Sequence, residues 1–126
     1  MPHPADPNLA ATLQELGCRA GSALTIGGID ASELAARFGT PLYVFDTAIL
    51  LRRAAAVREA LGPRVELLWS VKANPSLAVT RCLHDAGTGA EVASLGELHL
   101  ALAAGHDATT LRFAGPGKTD AEIDAA

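Results

Sequence analysis

Residues 65–72 read VELLWSVK, an apolar run that closes on a lysine. Side chains alternate between the two faces of a strand, so the run divides into two sets. The uniformly apolar set comprises Val65, Leu67, Trp69 and Val71. The mixed set comprises Glu66, Leu68, Ser70 and Lys72. The run predicts a strand over 65–71 that packs one face against helices and ends with Lys72 on the other.

Strands and helices alternate on both sides of this run. The pattern predicts, in order, strand 41–46, helix 47–62, helix 76–86, strand 89–93, helix 95–104, strand 109–114 and a helix opening near Thr119 and Asp120. Such alternation is typical of βαβ units around a parallel sheet. Too few units are present to close an eight-stranded barrel, so we expect an α/β fold that is the truncated first part of a (β/α)8 TIM-type barrel. The active site of such barrels lies at the carboxyl ends of the strands.

The N-terminal region has a different organisation. It predicts a loop, a short helix at 9–16, a short strand with a glycine turn at 23–30, and a further helix. We therefore divide the chain into a lead-in over 1–40 and an incomplete barrel over 41–126.

Composition excludes several classes of partner. The 126 residues carry a net charge of −4 and no basic patch, which argues against nucleic acid and against an anionic membrane. No run approaches the ~18 apolar residues of a membrane span. Cys18 and Cys82 lie far apart with no metal-ligand spacing, so we expect no disulfide and no metal site. We expect a soluble protein of the reducing cytoplasm.

Two charged residues each allow two interpretations. Lys72 is either a solvated surface cation or an amine that loses its proton through desolvation and attacks a carbonyl carbon. Glu91 lies in a strand of small residues, where an unpaired carboxylate is costly. It is either solvated at a sheet edge or lies beside Lys72 and tunes the amine. Ser94 and Glu97 have the spacing of a capping box and leave backbone donors at the same end of the sheet.

Three segments, taken in order, resemble one family. They are SVKANPS (70–76), GTGAEVASLGEL (87–98) and FAGPGKTDAEI (113–123). Their order and spacing are similar to those of the fold-type III pyridoxal-phosphate decarboxylases, which include diaminopimelate, ornithine and arginine decarboxylases. GTPLYVFDTAIL (39–50) also resembles that family's entry into its barrel.

The resemblance implies a fold and a set of site residues. The barrel would be alanine-racemase-like, and the lead-in strand would belong to a C-terminal β-domain. Lys72 would carry pyridoxal 5′-phosphate as a Schiff base. Ser70 and Glu91 would lie near that cofactor, Glu91 at a position where relatives commonly have an aspartate, and Glu97 would support them. The substrate would be an amino acid, and the full-length enzyme would be a homodimer.

The resemblance also implies that much of the active site lies further along full-length relatives. This includes the phosphate-binding loop, the ring-stacking histidine and the partner subunit's cysteine. The histidines present are expected on helix surfaces or in loops: His3, His84, His99 and His106. We expect the chain alone to bind cofactor weakly and to lack decarboxylase activity.

Four functions stay open at this point. The first is a decarboxylase of the diaminopimelate type, which would serve lysine biosynthesis. The second is a related decarboxylase of ornithine, arginine, lysine, or a carrier- or citrate-linked amino acid. An alanine-racemase-like protein would share the barrel and the lysine but lack the EVASLGEL and GPGKT pair. The fourth is a truncated, non-catalytic interaction module.

Overall fold

The computed structural model describes residues 7–15 and 23–126. The chain divides into two compact units, residues 1–50 and residues 51–126. The predicted helix 9–16 is observed as α1 (Pro7–Glu15), and its last predicted residue lies outside the described residues. His3 and Cys18 lie outside them as well.

The first unit contains a small antiparallel hairpin. β1 (Thr25–Ile26) pairs with β2 (Ile29–Asp30). The turn between them is Gly27-Gly28, with φ values of 59° and 81°. Positive φ at both central residues is what a tight two-residue hairpin turn with the right twist requires. The predicted strand and glycine turn at 23–30 are confirmed in this form.

Asp30 connects the hairpin to α2 (Ala31–Phe38). Its carboxylate accepts a hydrogen bond from the backbone N–H of Ser32 at 2.7 Å, which satisfies one of the free donors at the start of the helix. Hydrogen bonds from the Ser32 hydroxyl and amide hold the pKa of Asp30 below its usual value. The helix ends at Gly39, where φ is 82°.

Residues 41–46 do not form the predicted strand. The structure has no regular secondary structure there, and the Tyr43 side chain is 89% exposed. A strand exists through hydrogen bonds to a neighbour, and within the described part of the chain no strand pairs with 41–46. A short run of consecutive apolar residues was therefore an insufficient signal. Asp46 does cap α3 (Thr47–Leu61), accepting from the Ala48 N–H at 2.8 Å.

The second unit contains a three-stranded parallel sheet, and each of its strands is followed by an α-helix. The sheet order is β3 (Leu68–Ser70), β4 (Gly89–Val92) and β5 (Leu111–Phe113). The helices are α4 (Leu77–Asp85), α5 (Leu95–Ala104) and α6 (Asp120–Ala125). The predicted βα units and parallel sheet are confirmed.

All three strands of the sheet are shorter than predicted, β4 by the single residue Ala93. The strand predicted over 65–71 narrows to β3, and Val71–Ala73 forms a 3-10 turn instead. The strand predicted over 109–114 narrows to β5 behind a second 3-10 turn, Ala108–Thr110. β3 and β5 each cover the residues that find a partner on β4.

The core lies between the sheet and its helices. Its buried members come from the 3-10 turn, β4 and α5: Val71, Ala90, Val92, Leu98 and Ala101. Trp69, Leu111 and Phe113 pack against them from the outer strands. The apolar set of VELLWSVK thus faces the helices at Trp69 and Val71, as predicted, and the mixed set is left on the opposite face.

Gly89 lets the three strands approach closely. A Cβ atom at this position would lie 2.5 Å from Leu68 Cδ2 and 2.7 Å from the Thr110 carbonyl oxygen. Both distances are shorter than van der Waals contact. The Thr110 oxygen belongs to the backbone, so it cannot move aside as a flexible side chain could. Gly89 opens β4 opposite Leu68, its register partner on β3, so the absence of a side chain permits this sheet spacing.

Among the described residues, no helix combines the length and apolar character needed to cross a bilayer. Cys82 is a free, half-buried thiol.

Candidate functional site

The predicted site residues meet at the carboxyl ends of the parallel strands. The Nζ atom of Lys72 lies 3.7 Å from Oε1 of Glu91. Ser70 is the register partner of Glu91 on the neighbouring strand, so their side chains share a face of the sheet. The structure therefore brings Lys72, Ser70 and Glu91 together on the face opposite the core.

Lys72 reaches this position from a turn rather than from the strand. It is the central residue of the 3-10 turn Val71–Ala73, which is closed by a hydrogen bond from the Asn74 N–H to the Val71 carbonyl at 3.1 Å. Asn74 then accepts from the Ser76 N–H at 3.2 Å, which directs the chain into α4. The ANPS sequence thus ends the strand early and leaves the amine at its carboxyl end.

Solvent exposure differs between the members of the site. The Lys72 side chain is 64% exposed and that of Glu91 is 24% exposed. Of the two interpretations of Lys72, its exposure in this chain agrees with the solvated one: the amine is accessible and paired with a carboxylate. The Ser70 hydroxyl oxygen is buried, and among the described residues it has no hydrogen-bond partner.

The turn from β4 into α5 is held by carboxylates. Ser94 Oγ accepts from the Glu97 N–H at 3.2 Å, which confirms the predicted cap. Glu97 Oε2 accepts from the N–H of Ala93 at 2.8 Å, one residue before the expected partner. Glu122 Oε1 accepts from the Leu95 N–H at 3.2 Å. The expectation of free donors here is thus wrong for Ala93 and Leu95.

The turn from β5 into α6 is closed by its own residues. Lys118 Nζ donates to the Gly115 carbonyl at 2.7 Å and lies 5.2 Å from the centre of the Phe113 ring. Thr119 and Glu122 form a reciprocal capping box. Hydrogen bonds from the Thr119 amide and hydroxyl, and from the Leu95 amide, hold the pKa of Glu122 below its usual value. Sequence reasoning missed Glu122, although its spacing from Thr119 is a capping-box signal.

One histidine departs from the expectation of surface positions. His106 is 3% exposed, and its ring centre lies 4.7 Å from that of the half-buried His84. Burial lowers the pKa of His106, and the neighbouring His84 adds to this effect. His106 is buried because it follows the left-handed Gly105 that ends α5, where its N–H donates to the Ala101 carbonyl at 3.1 Å.

The donor set favours an organic carbonyl over a metal ion. No group of three or more His, Cys, Asp or Glu side chains among the described residues could hold a metal ion. An accessible amine beside a carboxylate suits covalent attachment of an aldehyde. The buried Ser70 hydroxyl on the same face leaves a hydrogen-bonding group available to such a ligand.

Comparison with known sequences and structures places these residues in context. A family model described as "Pyridoxal-dependent decarboxylase, pyridoxal binding domain" matches residues 47–126. The diaminopimelate decarboxylase of Actinosynnema pretiosum subsp. auranticum is 41% identical over 122 residues, 96% of this chain and 28% of that protein. The diaminopimelate decarboxylase of Vibrio cholerae is 42% identical over 93 residues, 73% of this chain and 22% of that protein.

Solved structures agree with the sequence relatives. AQ1208 from Aquifex aeolicus superposes with a TM-score of 0.76 and 34% identity, covering 83% of this chain and 26% of its own. Diaminopimelate decarboxylase from M. jannaschi superposes with a TM-score of 0.70 and 35% identity, covering 82% of this chain and 26% of its own. The chain spans about a quarter of the length of these relatives.

Proposed function

Because this chain belongs to the pyridoxal-dependent decarboxylases, we propose that it is the N-terminal, cofactor-binding part of an amino-acid decarboxylase. In this proposal Lys72 carries pyridoxal 5′-phosphate, and Ser70 and Glu91 contact the cofactor or its lysine. Residues 41–126 are the barrel portion and residues 1–40 a lead-in. The assembled enzyme is a cytoplasmic homodimer.

One observation carries the proposal: the accessible Lys72 amine lies 3.7 Å from the Glu91 carboxylate, on the sheet face that also bears Ser70. A paired lysine at the carboxyl end of a barrel strand has both the reach and the partner that a cofactor lysine needs. The second lysine of the chain, Lys118, is engaged with its own loop through Gly115.

The residues of the chain have separate tasks in this proposal. When bound, pyridoxal phosphate supplies an electron sink for the charge left on the amino acid after its carboxylate departs. Glu91 fixes the direction of the Lys72 side chain through the ion pair. The Ser70 hydroxyl would offer a hydrogen bond to the bound group, since it has no partner among the described residues.

The substrate we propose is meso-diaminopimelate. The supporting observation is that the curated relatives above are named diaminopimelate decarboxylases, at 41% and 42% identity. Decarboxylation of that substrate would yield L-lysine.

Reductive labelling tests the assignment of Lys72. The full-length product of the gene is incubated with pyridoxal phosphate, reduced with borohydride, digested and mapped by mass. We expect the label on Lys72, its loss in K72R and its retention in K118R. Label on another lysine would overturn the assignment.

Substrate preference is measured separately, as release of carbon dioxide from meso-diaminopimelate, ornithine and arginine. We expect release from meso-diaminopimelate with the full-length product and none with the 126-residue chain alone. Preference for ornithine or arginine would replace the proposed substrate but leave the role of Lys72 standing.

A further inference from the structure

We propose that Glu122 is a positioning residue for the cofactor site, because it ties the start of α6 to the β4–α5 turn that follows Glu91. The inference rests on the proposed role of Lys72 as the cofactor lysine. The Glu122 carboxylate bonds to Leu95 and Thr119 and to neither Lys72 nor Glu91, so its action is indirect.

Glu122 uses its two carboxylate oxygens for two different tasks. Oε2 accepts from the Thr119 N–H at 2.9 Å and from the Thr119 hydroxyl at 3.0 Å, bonds that stay within α6 and its cap. Oε1 accepts from the Leu95 N–H at 3.2 Å, a bond between residues 27 positions apart. The first task is ordinary helix capping. The second joins the turns that follow neighbouring strands.

The Leu95 bond matters because of where Leu95 lies. It is the first residue of α5, immediately after the cap Ser94, and β4 with Glu91 ends two residues before that cap. The N–H of Leu95 is one of the donors that a helix start leaves without an intrahelical acceptor. Glu122 supplies that acceptor and so limits the movement of the turn.

Two carboxylates hold this turn, one on each side of Ser94 in the sequence. Glu97, on α5 itself, accepts from the Ala93 N–H, and Glu122 accepts from the Leu95 N–H. A further bond from the Ala114 N–H to the Val92 carbonyl, at 2.8 Å, joins the ends of β5 and β4. Without Glu122, the α6 side of the turn loses its side-chain contact, and the direction of the Glu91 carboxylate toward Lys72 becomes less defined.

Two substitutions separate positioning from capping. E122D keeps a carboxylate in the first turn of α6, where it still favours the helix, but shortens the side chain by about 1.5 Å and so withdraws it from both Leu95 and Thr119. T119V removes the capping hydroxyl but keeps the Thr119 position's N–H and the complete Glu122 side chain. A role confined to capping therefore predicts effects of similar size for the two variants.

The experiment measures two quantities in the full-length product. The first is amide hydrogen exchange at residue 95. We expect E122D to accelerate it about fivefold to tenfold, the consequence of losing one hydrogen bond, and T119V to leave it within twofold. The second is the rate of reductive pyridoxal-phosphate labelling at Lys72. We expect E122D to slow this rate at least threefold relative to T119V.

The outcomes distinguish the two proposals. Equal effects of E122D and T119V on Leu95 exchange and on Lys72 labelling would overturn the positioning role and reduce Glu122 to a cap. Faster exchange in E122D without slower labelling would also overturn it. If the unchanged protein is not labelled at Lys72, the proposed function fails and the positioning role with it, whereas the exchange data still report the Leu95 bond.

Discussion

Glu66 and Arg112 form an ion pair that joins the two outer strands, with Arg112 Nη2 lying 3.1 Å from Glu66 Oε2. Glu66 precedes β3, Arg112 lies in β5, and β4 is the strand between. Arg112 also donates through Nη1 to the carbonyls of Thr109 and Leu111. The pair lies on the sheet face that carries Glu91, the register partner of Arg112.

The ion pair should contribute little to stability. Both side chains are about half exposed, 51% for Arg112 and 52% for Glu66, and solvent screens such pairs. A double-mutant cycle with E66Q and R112Q should give a coupling energy below about 1 kcal/mol. The measurement is urea unfolding at low and high salt, and the coupling should shrink with salt. A coupling energy well above about 1 kcal/mol at high salt would contradict the small contribution expected of the ion pair.

Gly89 should tolerate no side chain. G89A places a methyl group against Leu68 and the Thr110 carbonyl, and the backbone cannot yield cheaply. We expect a loss of about 1–3 kcal/mol in the free energy of unfolding, the usual cost of overpacking. Urea unfolding followed by circular dichroism measures it.

Gly96 provides the control for that substitution. It lies in the first turn of α5, and a Cβ there would meet Ser94 Oγ at 3.9 Å, an ordinary contact. G96A should be neutral or stabilising by up to about 1 kcal/mol, since alanine favours a helix over glycine. Similar losses for G96A and G89A would rule out the steric explanation.

His106 should make the fold sensitive to mild acid. Its pKa in the folded chain is lowered by burial, so the unfolded state binds the proton more tightly. Stability is therefore complete above the unfolded histidine pKa of about 6.5 and is lost as the pH falls below it. Two titratable neighbours act on His106: His84 lowers its pKa further, and Asp107 opposes that change. The free energy of unfolding, measured between pH 7.5 and 5, should therefore decrease as the pH falls.

Two variants test the origin of that slope. H106Q and H106F both lack a titratable ring, but one is polar and the other apolar. Absolute stabilities should differ between them, because a polar and an apolar side chain pack differently at this buried position. Both should flatten the slope between pH 7 and 5. A slope that persists in both variants would assign it to another group.

Asp46 should stabilise the start of α3. Its carboxylate accepts from the N–H groups of Ala48 and Ile49, at 2.8 Å and 3.2 Å. D46A should cost about 1 kcal/mol of unfolding free energy, and D46N a few tenths, because asparagine also caps. Thermal unfolding of the two variants measures the difference. Equal losses would mean that the cap itself is not the source of stability.

The elements that could be predicted from sequence are those fixed by local chemistry. α5 was placed at 95–104 because Ser94 caps its start and Gly105, with φ of 109°, ends it. The start of α6 was likewise fixed by Thr119. The prediction of a strand at 41–46 was wrong, and the strand predicted over 65–71 was too long. Both errors arise because pairing with a distant neighbour decides where a strand exists.

The same distinction applies to the site. Strand alternation and a parallel sheet were enough to predict that Lys72 could lie near Glu91. Both residues lie toward the carboxyl ends of adjacent strands. The contact between Glu122 and Leu95 could not be predicted, because it depends on how two helix starts are placed relative to each other. The burial of His106 depends in turn on how the end of α5 packs beside α4.

The sheet order β3-β4-β5 has a consequence for handling this chain. Within the described part, β3 and β5 each have one strand neighbour, so each presents an open edge of backbone donors and acceptors. Such edges recruit further strands from other molecules. Concentrated preparations of the 126-residue chain should self-associate through them. Light scattering that grows with protein concentration, and that proline substitutions along β5 suppress, would be the sign of this edge-to-edge addition.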